Sequence, residues 1–303
     1  MASSTRASDG SDPRTPGTAR TRRAGWRRVP LFVWASAIFV TLVVLAAVFA
    51  PLVAPYDPVQ QSLRDRLKGP TWFPEAGQRR HFLGTDQLGR DTLSRIIYGS
   101  RISLAVGFAA VVIGGAIGGS LGLLSGYAGG ILDEIVMLVV DAQLAFPFIL
   151  LAIGIIAVLG PSFGNLIIIV GLSGWVTYAR LIRAQVLTIK EREYVLAIRG
   201  LGGSTLRILG RHIVPNTLAP FLVITTLELA RTILLESTLS FLGLGIQPPT
   251  PSWGGMLNEG RGYLDTAWWI SAFPGLILMM IALVVSRVGD WLRDILDPTL
   301  RGV

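Results

Sequence analysis

The chain has no cysteine, two histidines and two lysines, and only 15% of its 303 residues are charged. Without cysteine there can be no disulfide, thiolate zinc site, iron–sulfur cluster or thiol nucleophile. His81 and His212 stand far apart in the sequence, so a histidine-based metal centre or catalytic triad has no second imidazole to draw on. The phosphate-cradling motif GxxxxGK[ST] needs a lysine followed by Ser or Thr, but Lys68 precedes Gly69 and Lys190 precedes Glu191. Nucleotide hydrolysis is therefore not expected here; no cofactor is expected in this chain, and any ATP dependence must be supplied by a partner. An ordinary soluble domain is about one quarter charged, so the low charge content argues against a water-exposed surface of normal size.

What is present is apolar chain, 51% of the residues, gathered into runs too long for core strands. A helix rises about 1.5 Å per residue, so about 20 residues cross a hydrocarbon layer of about 30 Å. Six segments meet that requirement: 31–53, 102–124, 132–159, 165–182, 217–243 and 267–288. Their continuity, as in LFVWASAIFVTLVVLAAVFA, excludes the ten-residue alternation of a transmembrane barrel. The expected fold is an all-α integral membrane protein with two parts. Residues 1–28 are a basic tail rich in Ser, Thr, Gly, Pro and Arg, with a composition that stays disordered in water. Residues 29–303 form the membrane domain.

Net charge is +8, which in a soluble protein would suggest nucleic acid, but the arginines flank apolar spans and mark the membrane surface instead. With the N-terminus inside, the inner segments carry 17 Lys and Arg and the outer ones nine. The positive-inside rule therefore favours N-in and C-in, with an external loop at 54–101 and a cytoplasmic loop at 183–216. Gly114, Gly118 and Gly122 repeat a small-xxx-small spacing on the second span, a surface for close helix approach. Pro147 and Pro274 are expected to kink their helices.

Charge inside hydrocarbon costs about 2.5–3.5 kcal/mol per residue on insertion scales, so Asp141, Glu228, Arg231 and Glu236 need partners or water. Glu228 and Arg231 share a helix face; mutual neutralisation and contact with a charged solute in a translocation path both remain open. The inner loop, KEREYVLAIRGLGGSTLRILGRHIVPN, reads as helix, break, helix. Tyr194, Val195, Ala197, Ile198 and Leu201 form a candidate apolar face, Gly202 and Gly203 interrupt, Ser204 offers an N-cap, and Pro215 marks entry to the fifth span. Physics alone leaves two readings, a helix lying on the lipid surface and an element that docks a protein.

This loop resembles the cytoplasmic loop of ABC importer permeases, which opens with EAA, has Gly six residues after the Glu and closes with Pro. Leu196, Ala197 and Ile198 occupy the EAA positions, Gly202 the glycine and Pro215 the proline, with Leu standing where the family has Glu and Ile where it has the second Ala. Together with HFLGTDQLGRDTLSRIIYGSRISL and LLESTLSFLGLGIQPPTPSWGGML, it resembles the C-type membrane subunit of dipeptide/oligopeptide importers over roughly residues 30–303. The resemblance implies a six-span type I ABC importer permease in a bacterial inner membrane. It implies a heterodimer with a related permease subunit, two cytoplasmic ATPase domains that dock on the loop, and an extracytoplasmic peptide-binding protein. Related carriers move nickel chelates or glutathione. A secondary transporter, which would show matching interrupted halves, and an intramembrane enzyme, which would show paired aspartates or a metal cluster, are the competing classes.

Overall fold

A computed structural model describes residues 30–72 and 81–296; the basic tail read from the sequence lies outside them. Every regular element among the described residues is helical, the one extended pairing being a single bridge between Thr85 and Asp91. The first span is α1 (Leu31–Val48), continued after Phe49 by the short α2 (Ala50–Val53). Next come α3 (Thr92–Ala128), α4 (Gly130–Leu144), α5 (Phe148–Leu159) and α6 (Phe163–Lys190). The inner loop contributes α7 (Glu193–Gly200) and α8 (Thr205–Ile208), then a wide π-helical turn, Leu209–Ile213, that runs into α9 (Val214–Phe241). After the short helices α10 (Trp253–Gly260) and α11 (Leu264–Ala267), α12 (Trp269–Leu296) completes the bundle.

The segment 132–159 is not one straight helix: α4 and α5 meet at 87° across Ala145–Pro147, because proline cannot donate to the preceding turn and forces its predecessor out of helical geometry. Among the described residues five helices are long and apolar enough to cross a membrane, six if this bent pair serves as one span. Asp91 caps α3, its carboxylate accepting from the Ser94 amide at 2.8 Å, so Thr92–Arg101, within the segment read as a loop, form the helix's first turns. At its C-terminal end α6 reaches Lys190. Pro274, by contrast, lies within an unbroken α12.

The centre of the bundle is the seam between α3 and α6. A Cβ on Gly118 would lie 2.1 Å from the Trp175 carbonyl oxygen and one on Gly122 2.5 Å from that of Ala179, so the glycine stripe lets the two backbones touch. On its other side α3 meets α9, where Thr232 donates to the Gly107 carbonyl at 3.3 Å. The N-terminal half of α6 (Leu166, Ile169, Val170) joins Ala152 and Ile156 of α5 and Val106 and Ala110 of α3 in one apolar cluster.

Candidate functional site

The loop between α6 and α9 forms a helical lever, anchored at both ends to long helices. Between α6 and α7 only Glu191 and Arg192 intervene. Helix α7 ends in a Schellman arrangement: the Gly202 amide donates to the Arg199 carbonyl at 3.1 Å and the Gly203 amide to that of Ile198 at 2.9 Å. Gly202 holds φ at +81°, a conformation that side-chain-bearing residues rarely adopt, but nothing lies within 4 Å of where its Cβ would be. Gly203 is the position of close approach, since its Cβ would meet Ile198 Cγ2 at 2.6 Å. Ser204 stands at the cap of α8 with extended backbone, but its side chain makes no capping bond. Pro215 falls in the first turn of α9, directly after the π-helical turn, and does not interrupt the run from α8 into α9.

The apolar face expected of this loop divides in two. Val195 and Ile208 are buried with Ile182, Val186, Ile189 and Ile213, and Ile198 packs against that cluster, fastening the lever to α6 and to the start of α9. Arg199 lies 5.7 Å from the centre of the Tyr127 ring, and Tyr194 lies 6.2 Å from His212. Leu196, Leu201 and Leu206 point outward, 49%, 89% and 83% exposed, and Tyr194 and Ala197 are exposed with them. Leu206 carried no periodic signal that could have singled it out. Its neighbours in sequence are polar.

The intramembrane charges occupy three different settings. Asp141 on α4 pairs with Arg180 on α6, both side chains more than half exposed. Nearby, Asp133 pairs with Arg183, and Trp175 donates to Gln143 at 2.7 Å. Glu228 on α9 is buried against α6, where its Oε2 would sit 3.2 Å from a Cβ on Gly174; it accepts from Arg231 Nη1 at 3.1 Å and 3.3 Å. Glu236 is fully buried and is hydrogen-bonded by hydroxyls, Ser240 at 2.7 Å and Ser237 at 3.3 Å. It does not belong with the other charges.

A further charged cluster, without a signal in the local sequence, joins the stretch around the start of α3 to α10. Arg95, 1% exposed, donates to Glu259 at 2.7 Å and 3.1 Å and also to Asp86. Arg90 donates to Asp86 at 2.6 Å and to Glu259 as well. Burial works against ionisation of Glu259, but the hydrogen bond from Arg95 and the charges of Arg95 and Arg90 outweigh it and hold the carboxyl below its usual range. Trp253 Nε1 donates to the Ile96 carbonyl at 3.1 Å and Trp269 Nε1 to that of Thr85 at 3.0 Å, so the outer loop, α3, α10 and α12 are fastened together. Such pairing across more than 160 residues has no local pattern to reveal it.

These features can be set beside known proteins. Residues 118–302 match the family described as binding-protein-dependent transport system inner membrane component, and residues 27–70 match the N-terminal transmembrane domain of oligopeptide transport permease C. The chain belongs to this permease family. It is 46% identical over 264 residues to the di/tripeptide transport system permease of Pseudomonas aeruginosa, covering 87% of each chain. It is 43% identical to the dipeptide transport system permease of Haemophilus influenzae, covering 87% of this chain and 89% of that one. A glutathione transport system permease of Escherichia coli is 42% identical over 280 residues, covering 91% and 90%. Inward-facing structures of the methionine ABC transporter MetNI superpose at a TM-score of 0.56 with 18% identity, covering 68% of this chain and 97% of theirs. An amino acid ABC transporter superposes at 0.53 with 16% identity, covering 66% and 94%. These place the fold among type I importer permeases. The chain is thus a multi-pass permease of the bacterial inner membrane rather than a catalytic subunit, and its family implies a substrate-binding protein and an ATPase as partners.

Proposed function

We propose that the chain is one permease subunit of an ATP-driven importer of di- and oligopeptides, inserted N-in and C-in, and that it lines half of the path beside a related permease. The observation that carries the peptide assignment is the identity of 46%, 43% and 41% to three permeases named for di/tripeptide or dipeptide transport, each over 87% of this chain. ATP and magnesium belong to two ATPase domains below the membrane. Their docking surface is the outward face of the lever: Tyr194, Leu196 and Ala197, with Leu201 and Leu206 beyond the turn, while Ile198, Gly202 and Gly203 shape that turn.

The mechanism follows from what the lever joins. Helix α7 is two residues from α6, and α8 passes through Pro215 into α9 without a break. A push on the exposed leucines is therefore delivered to α6 and α9, the helices that carry Arg180 and the Glu228–Arg231 pair. Val195 and Ile208, buried against α6, keep the lever from yielding locally. Because outward leucines on a polar segment cost solvation in water, burying them against a partner also supplies docking energy, at roughly 25 cal/mol per Å² of apolar area.

The test is uptake by the complete transporter in proteoliposomes, with binding protein outside and ATP within. ATP-dependent accumulation of a labelled dipeptide, competed by unlabelled dipeptide, is the expected result. Accumulation of glutathione in its place would move the chain to the glutathione carriers.

A further inference from the structure

We propose that Arg231 is the residue in the translocation path that receives the carboxylate of the passing solute, with Glu228 as its holder. The inference rests on the importer function proposed above and assigns a specificity residue within it.

Arg231 lies about 15 Å from the outer end of α9 at 1.5 Å per residue, near the middle of a hydrocarbon layer of about 30 Å. Its side chain is nevertheless 51% exposed, whereas Glu228 is 6% exposed. A charge at that depth is not left against lipid; such residues face protein or water-filled space. The exposed positions in this half of α9, Arg231, Leu234 and Thr238, lie between the side that meets α6 and the side where Thr226 and Leu227 meet Gly289 of α12. On α6 the exposed side, with Arg180 on its edge, lies between the contact with α9 at Gly174 and the contact with α4 at Trp175. Both faces turn away from α3, so they form one wall that carries polar and charged groups at membrane depth.

The pairing itself leaves the guanidinium available. Only Nη1 bonds Glu228, to both carboxylate oxygens at 3.1 Å and 3.3 Å, longer than the 2.7–2.9 Å of a tight charge-assisted bond. The planar fork retains Nε and Nη2 for a second carboxylate, which is the bidentate geometry that arginine offers and lysine does not. Glu228 cannot follow it outward, since it is wedged beside Gly174. A fixed, buried anion behind a half-free cation holds the arginine at the wall without consuming its donors. Because α9 is continuous with the lever, movement of α8 shifts the depth and exposure of this cation during each cycle.

The cysteine-free sequence makes a direct test available. Arg231→Cys is assembled with cysteine-free partner subunits and binding protein, and dipeptide uptake is measured before and after treatment with aqueous methanethiosulfonates. Uptake is expected to fall at least tenfold, to return when the cysteine carries an aminoethyl group, and to stay low with a sulfonatoethyl group. The reaction is expected to slow when dipeptide is being transported, and to slow less with an equally transported peptide that is amidated at its C-terminus. Arg231→Lys, which keeps charge and removes the fork, should assemble normally and show a raised KM with ATP hydrolysis unchanged. The proposal is overturned if the cysteine is inert to the aqueous reagents, which would mean that lipid or the partner permease covers it. It is equally overturned if Arg231→Lys and unmodified Arg231→Cys transport like wild type, or if both reagents rescue alike. Failure of the wild-type complex to take up dipeptide would instead defeat the importer reading on which the proposal stands.

Discussion

Gly202 and Gly203 are adjacent, yet substitutions at the two should fail for different reasons. At Gly202 the obstacle is conformational, φ at +81° with open space around it, so Gly202→Asn should preserve the turn while Gly202→Val loses about 1–2 kcal/mol of local stability. At Gly203 it is steric, and even Gly203→Ala drives a methyl into Ile198. ATP-dependent uptake and co-purification of the ATPase should therefore survive the first change and fall with the other two, while membrane insertion is unaffected by any of them. The same separation of causes applies to the outer charges. Removing Glu259 leaves Arg95 and Arg90 buried beside Asp86 alone, at a cost of about 3–5 kcal/mol. Its carboxyl is held below the usual range, so its contribution is complete above the unfolded carboxylate value of about 4.3 and is lost as pH falls through the lower folded one. Thermal unfolding of the purified complex at neutral and strongly acidic pH should show wild type approaching Glu259→Gln only at the acidic end.

Among the helices, α3 gives the sharpest contrast between neighbouring positions. Gly118→Ala places a methyl 2.1 Å from the Trp175 carbonyl and must part α3 from α6, whereas Gly119→Ala meets only the edge of the Phe221 ring at 3.3 Å. The first should lower the unfolding temperature of the detergent-extracted complex by several degrees and the second should leave it within about one, as surface-like changes do. The glycine stripe was readable from spacing, because small-xxx-small follows the helical period directly. So were the spans, since apolar length measures a bilayer, and the helix–glycine–helix of the inner loop, since Gly202 and Gly203 punctuate it. The break at Pro147 was only half readable: proline announces a kink, but 87° is decided by how α5 packs across α6. The split of the loop's apolar residues into an inward Val195 and an outward Leu206 was not readable at all, because a helix of eight residues joined to one of four has too few turns to state which way it faces.

Across the whole molecule, the two ends of the bundle are of different construction, and that difference fixes what an orientation test must find. One end is closed by the charge cluster of Asp86, Arg90, Arg95 and Glu259 and by the indole bonds of Trp253 and Trp269. The other carries the lever, with Lys190 donating to the last turn of α3 at Gly126 and three leucines facing outward. In the proposed importer a binding protein delivers solute to a rigid rim, whereas an ATPase needs a part that can be pushed, so the clamped end is expected outside and the lever inside. The arginine distribution argues for the same orientation independently. Ser204→Cys, on the exposed side of the lever, and Asp265→Cys, on exposed α11, report the two ends against a background without native cysteine. In sealed cells an impermeant maleimide should modify only Asp265→Cys, and Ser204→Cys should react once the membrane is breached, more slowly when ATPase subunits are bound. Reaction of Ser204→Cys in intact cells would invert the protein, placing the lever beyond the reach of cytoplasmic ATP and ending its role as the coupling element.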